Sequence, residues 1–377
     1  MLQRLYAHNF RCFENFEFSI KSAPSSLLIG RNGSGKSTLA EVLSLFQQIG
    51  RGTSRLKQLV NSRDFSCGRN QLPMRLELEA ALADRIYSYS LSLELPEGFQ
   101  ELRVLEEALR VDGTVLYSRK QAEVALNTRG VGVTGNDAQF RVDWHQVALP
   151  LIQQRNDSDP LHVFREWLGR MVILAPQPRQ INGESTTETL QPLSNGSNFA
   201  DWLAGILGQY PAAYATIDTY LRDVFPDLHD FRNEVVGSES KRLLVNFVRD
   251  NSPQLTLRFD DLSDGEKCFF LCATILAANR AYGPLFCFWD EPDNYLSPHE
   301  VGHLIIALRS AFQSKGQIVM TSHNEEAILK FSNENTWVLN RKSHLEPTQI
   351  RSLEQLRNEL NFDGDLTHAL ISGELFE

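Results

Sequence analysis

Near the N-terminus the chain reads SLLIGRNGSGKSTLAEVLSLFQQIG, and the nine residues from Gly30 to Thr38 match the pattern G-x-x-x-x-G-K-[ST]. The flanks constrain the fold as strongly as the motif does. A short apolar strand runs into the glycines, and a helix opens on the Lys-Ser-Thr, so the loop sits between a buried strand and a helix start. Backbone N–H groups and the positive end of the helix then face one anion. Gly33 and Gly35 let the backbone wrap a β-phosphate, Lys36 neutralises β/γ charge, and the Ser37 hydroxyl can ligate Mg²⁺. The expected nucleotide contacts are Gly30, Asn32, Gly33, Ser34, Gly35, Lys36, Ser37 and Thr38.

A strand feeding such a loop needs neighbours, and the last third of the chain supplies them. LFCFW, QIVMTS and TWVL are apolar runs alternating with helical stretches such as VGHLIIALRSAF. Strands apolar on both faces are covered on both faces, which predicts a largely parallel core sheet. The first run ends in two acids: Asp290 would hold Mg²⁺, and Glu291 is placed to polarise a water as general base. Adjacent strand residues point to opposite faces, so the chain must turn here to deliver both, and Pro292 fits that. The second run ends in His323, which can bond a γ-phosphate. In ILAPQPRQ, Gln177 could reach Mg²⁺ and the water, with Gln180 a competitor.

Elsewhere the period changes. ENFEFSI alternates apolar with polar and is expected to pair with LQRLYAHNF as a hairpin turning near Arg11 to Phe13. From Met74 to Trp144 the alternation continues, with an Asp-Gly hairpin signal at Asp112-Gly113, and NTRGVGVTGND reads as a flexible loop. Residues 199–224 read as two helices broken near Pro211, Gly50 as a helix stop, and Ser297-Pro298-His299-Glu300 as a capping box.

Bulk properties exclude some classes. The net charge of −10 removes a whole-molecule basic field for nucleic acid, though a local basic groove stays possible. Five cysteines without a CxxC pair suit buried small hydrophobes in a reducing cytoplasm. No apolar run reaches membrane-spanning length, and the N-terminus lacks a signal-peptide core.

The stretch DDLSDGEKCFFL adds a second anion-directed helix start, with Ser263 and Gly265 in front of a helical run. The order of phosphate loop, LSDGE, strand with Asp-Glu, and strand with His resembles ABC-type ATPases, whose LSGGQ-like signature appears here with Asp264 in place of a Gly. The resemblance implies that two heads pack head to tail and that Ser263 and Gly265 cap the nucleotide of a second copy, giving an ATP-bridged homodimer. LYAHNFRCFENFEF resembles the opening hairpin of the RecF, SMC and OLD group, which implies a role near the nucleotide for Arg11. The implied fold is an α/β ABC-type P-loop ATPase head with a mixed central sheet, an antiparallel β subdomain and an inserted helical segment. A nucleotide-binding core at 1–60 and 170–377 would carry helices at about 195–228 and a β-rich insertion at 72–150.

No long heptad run is present, and about 50 residues follow His323, too few for a Toprim nuclease domain. What remains resembles stand-alone ATPases of bacterial antiphage defence or toxin-linked operons, such as the Septu ATPase. That resemblance implies ATP and Mg²⁺ as cofactors and a separately encoded, nuclease-like effector as partner, with a RecF-like DNA-binding repair ATPase as the alternative.

Overall fold

The computed structural model describes residues 1–20, 23–127, 138–153, 156–237, 239–248 and 254–360. Most of NTRGVGVTGND lies outside the described residues. The chain forms two compact units, one of residues 1–23, 28–171 and 333 onward, the other of residues 24–27 and 172–332.

The first unit is organised on an eight-stranded antiparallel sheet. Its order is Phe16–Ser19, Leu2–His8, Met74–Leu82, Arg85–Glu94, Arg103–Val111, Thr114–Lys120, Glu123–Leu126 and Ala138–Arg141. Alternation sets the register: Met74, Leu76, Leu78 and Ala80 pair with Leu93, Leu91, Tyr89 and Tyr87, all on the buried face. Asp112 and Gly113 take left-handed backbone (φ 50 and 80) in the hairpin turn that their sequence signals.

Two irregularities re-aim side chains. The pairing jumps from Ser92↔Glu106 to Leu93↔Val104, leaving Leu105 as an extra residue, and a second jump skips Leu116. An extra residue inverts the in/out parity of the strand beyond it. Glu107, Tyr117 and Arg119 therefore face inward beside Tyr89. Glu107, 1% exposed, accepts hydrogen bonds from the hydroxyls of Tyr89 (3.0 Å) and Tyr117 (2.7 Å) and from the N–H groups of Ala148 (2.8 Å) and Leu149 (3.0 Å). Arg119 lies 3.6 Å from the same carboxylate and donates to the carbonyls of Gln121, Asp143 and Gln146. This buried network fastens residues 143–149 to the sheet.

The phosphate-loop helix, Lys36–Gly50, packs on the helix Pro160–Arg170 in the same unit. The helix ends at Gly50 as expected, and the chain leaves through Arg51 and a left-handed Gly52. The missing side chain of Gly50 also serves packing. A Cβ there would lie 2.4 Å from Gly169 N, so the two helices cross glycine on glycine.

In the second unit, Val172–Leu174, Phe286–Trp289 and Gln317–Thr321 are parallel neighbours, and every residue in them is buried. Register places Leu174 beside Trp289 and Trp289 beside Met320, so the three strands end at one edge. The helices Phe199–Gln209 and Ala213–Val224 flank Pro211 as expected. A second antiparallel sheet is built on Ser240–Phe247, with Leu228–Val236 on one side and Glu184–Ser185 and Leu255–Arg258 on the other. The helix Asp264–Tyr282 is buried on every side from Lys267 to Asn279, which is why its sequence shows no polar stripe. Among the described residues no helix is long and apolar enough to cross a membrane.

Candidate functional site

In the first unit the phosphate loop is held from behind. Gly33 and Gly35 adopt φ 79 and 108, a region open to glycine and costly to other residues. A Cβ on Gly35 would also meet Phe13 Cε1 at 2.9 Å and Thr348 Oγ1 at 3.0 Å, whereas a Cβ on Gly33 would meet nothing within 4 Å. The Thr348 hydroxyl donates to Ser34 O (2.8 Å), and buried Lys36 donates from Nζ to Gly30 O (2.8 Å). Ser34 is buried, while Asn32 and Ser37 are exposed. Thr38, in the first helical turn, accepts a weak bond from the Cys12 thiol at 3.5 Å.

The helix start has no side-chain cap and no acidic residue in its first turn. Left-handed glycines, an uncapped helix N-terminus, a lysine and a hydroxyl form a donor set suited to a polyphosphate with its magnesium. Arg11 stands beside this helix with its guanidinium on two carboxylates: Nε donates to Asp64 (3.0 Å) and Nη1 to Glu41. Burial pushes the Glu41 carboxyl above its ordinary range despite Arg11.

In the second unit the acids lie at the common strand edge. Asp290 N–H donates to Leu174 O (2.7 Å), extending the pairing by one residue. The turn expected at Pro292 falls on Glu291 itself, whose φ is 49. Left-handed backbone costs a non-glycine residue about 1–2 kcal/mol, so something must hold it. The Glu291 N–H donates to Thr321 Oγ1 (2.8 Å), and that hydroxyl donates to Asp290 Oδ1 (2.6 Å). The Glu291 carboxylate then lies between His323 Nε2 (3.4 Å) and Asn294 Nδ2, which donates to it at 2.7 Å. One residue along, Ser322 Oγ donates to Asp293 Oδ2 (2.9 Å). Asp293 Oδ1 is buried without a hydrogen-bond partner among the described residues, and burial pushes this carboxyl upward.

Residues 1–79 match a family model described as "AAA ATPase domain", and residues 195–329 match one described as "AAA domain, putative AbiEii toxin, Type IV TA system". Among solved structures, an SMC head bound to the C-winged helix domain of ScpA is 12% identical with TM-score 0.54, covering 96% of this chain and 99% of that one. An Smc head with an extended coiled coil, bound to the C-terminal domain of ScpA derived from Pyrococcus furiosus, is 10% identical with TM-score 0.51, covering 96% and 98%. No curated protein matches the sequence.

The chain is an ATPase with the fold of an SMC head. In this ATPase the LSDGE stretch caps its own helix in a way its sequence already contains. Ser263 Oγ accepts from Glu266 N–H (3.3 Å), and the Glu266 carboxylate accepts from Ser263 N–H (2.7 Å). This is the same S-x-x-E box that was legible at Ser297 and that also forms there. Gly265 is close-packed, since a Cβ would lie 3.0 Å from Tyr295 O. Gln177 is exposed just beyond its strand, and its side-chain oxygen accepts from Gln180, whose own oxygen accepts from Asn195 (2.7 Å). The two glutamines are thus one bonded cluster. Thr321, Ser322, Asp293 and Asn294 belong to no motif in the sequence. Their signal would have been position alone, as polar residues beside the Asp-Glu pair and the His.

Proposed function

We propose that this ATPase is a switch: two copies close head to tail around two composite ATP sites, and hydrolysis reopens them to control a separate effector. The effector would be a nuclease-like protein of bacterial antiphage defence or a toxin-linked operon, a reading supported by the Type IV TA description matched at 195–329. The whole chain would act as one discontinuous head, with the β-rich 72–150 and helical 195–228 segments carrying the change outward.

The observation that carries the chemical part is the left-handed Glu291, which brings its carboxylate to His323 while Asp290 stays on Thr321. Gly30 to Thr38 would hold the phosphates, with Lys36 leaving Gly30 O for the β/γ oxygens. Ser37, Asp290 and Gln177 would hold Mg²⁺, which when bound neutralises charge on the β- and γ-oxygens. Glu291 would take the proton of the attacking water, and His323 would bond the γ-phosphate. Arg11 would exchange a carboxylate for the nucleotide. Ser263 keeps a proton to donate after accepting from Glu266, and it and Gly265 would face the nucleotide of the other copy.

The test is trapping and mixing. Glu291→Gln is expected to bind ATP, to lose turnover by about 10²–10⁴-fold, and to elute as a dimer with ATP. Ser263→Arg and Lys36→Ala, each inactive alone, are expected to regain activity when mixed, because each mixed pair contains one intact composite site. Full turnover by Ser263→Arg alone refutes the dimer, and normal turnover by Glu291→Gln refutes the base.

A further inference from the structure

We propose that Thr321 is a positioning residue that sets the magnesium-binding carboxylate and the general base through one hydroxyl, an inference that rests on the roles given above to Asp290 and Glu291. Parallel register matches Cys287 with Ile318, Phe288 with Val319 and Trp289 with Met320, so the next pair along the strands is Asp290 and Thr321. Thr321 is fully buried. A hydroxyl has one proton to give and two lone pairs, and here both functions are in use. The proton goes to Asp290 Oδ1 at 2.6 Å, a short bond strengthened by the carboxylate charge. A lone pair receives the Glu291 N–H at 2.8 Å.

The two bonds fix different things. The first sets the direction in which Asp290 presents its other oxygen. The second holds Glu291 at φ 49. Released from it, Glu291 would relax toward extended backbone, where adjacent side chains leave opposite faces, and its carboxylate would part from His323 and Asn294. Valine has the shape of threonine and can make neither bond. Serine can make both. Ser322 repeats the device one residue on, donating to Asp293 Oδ2 and accepting from Asn324 N–H, each at 2.9 Å. The end of the His-bearing strand thus fastens the acid turn at two successive points.

The test compares Thr321→Val with Thr321→Ser in the full chain, measuring ATP affinity in EDTA, ATP affinity in magnesium, and kcat. Loss of a residue that orients a metal ligand typically costs about 10–100-fold in metal affinity or activity. Thr321→Val is therefore expected to bind ATP in EDTA like the wild type, to lose most of the affinity gained on adding magnesium, and to fall in kcat by that factor. Thr321→Ser is expected to keep both properties. If the valine variant does not fold, Thr321→Ala, which leaves room for water, takes its place under the same criteria. Equal losses in the valine and serine variants overturn the inference, as does a valine variant with wild-type kcat and magnesium response. Asp290→Asn and Glu291→Gln are measured alongside. Wild-type turnover in those two would overturn the acid roles themselves, while losses there beside an unaffected Thr321→Val overturn this inference alone.

Discussion

Replacing Glu107 by leucine is expected to destabilise the first unit severely, though it puts an apolar residue into an apolar core. The carboxylate is the acceptor for four buried donors: two tyrosine hydroxyls and the N–H groups of Ala148 and Leu149. One of the Tyr89 and Tyr117 hydroxyls can turn to the other, which leaves three donors without a partner. At about 1–3 kcal/mol for each unsatisfied buried group, the hydrogen-bond loss alone is about 3–9 kcal/mol. Arg119 also loses its counter-charge, and unpairing a buried ion pair typically costs about 3–5 kcal/mol. These terms overlap, because Arg119 keeps three backbone carbonyls, so a net loss of about 4 kcal/mol is the low end. For a unit of this size that lowers the melting midpoint by about 8–16 °C. Calorimetry of the variant is the assay, beside Glu107→Leu combined with Arg119→Met. The double variant is expected to recover part of the loss, since removing both charges is milder than removing one. A single variant that melts with the wild type, or a double variant that is worse, refutes the reasoning.

Asp293→Asn is expected to stabilise the protein at neutral pH. Burial raises this carboxyl, so its folded-state pKa lies above its unfolded one; the corresponding stability is complete below the unfolded value and is lost as pH rises through the folded one. The advantage of asparagine should shrink in chemical denaturation as pH falls toward 4. Of the five cysteines only Cys67 is exposed, and burial pushes Cys268 and Cys272 up to about 12. One fast thiol is therefore expected with a disulfide reagent at pH 8, and Cys67→Ser should remove it. Gly35→Ala is expected to lose ATP affinity by calorimetry, because a methyl would sit 2.9 Å from Phe13 on backbone at φ 108; unchanged affinity would mean that the loop shifts freely.

Much of the fold was readable because its signals are local. Alternation from Met74 to Leu95, the glycines around Lys36 and the acids after LFCFW each depend on a few neighbouring residues. What escaped depends on partners far away in the sequence. Glu107 looks like an outward strand residue until the bulge at Leu105, which only the paired strand reveals. Pro292 marks a turn in the sequence, but the hydroxyl that stabilises a left-handed Glu291 is 30 residues distant. Gly50 ends a helical pattern, and only the approach of Gly169 shows that the absent side chain serves a crossing.

Thr348 holds the backbone of Ser34 across 314 residues of sequence, and Gly30 lies against Leu339. During translation the phosphate loop emerges 314 residues before the threonine that backs it. ATP can therefore give little support to the growing chain over that interval, because ligand binding stabilises only a site already formed. Contacts of such sequence separation also form slowly, since loop closure precedes any gain from them. The nascent chain must keep its buried strands from aggregating without help from its own ligand, and a stop codon placed before residue 348 would yield a loop with the complete motif and no backing.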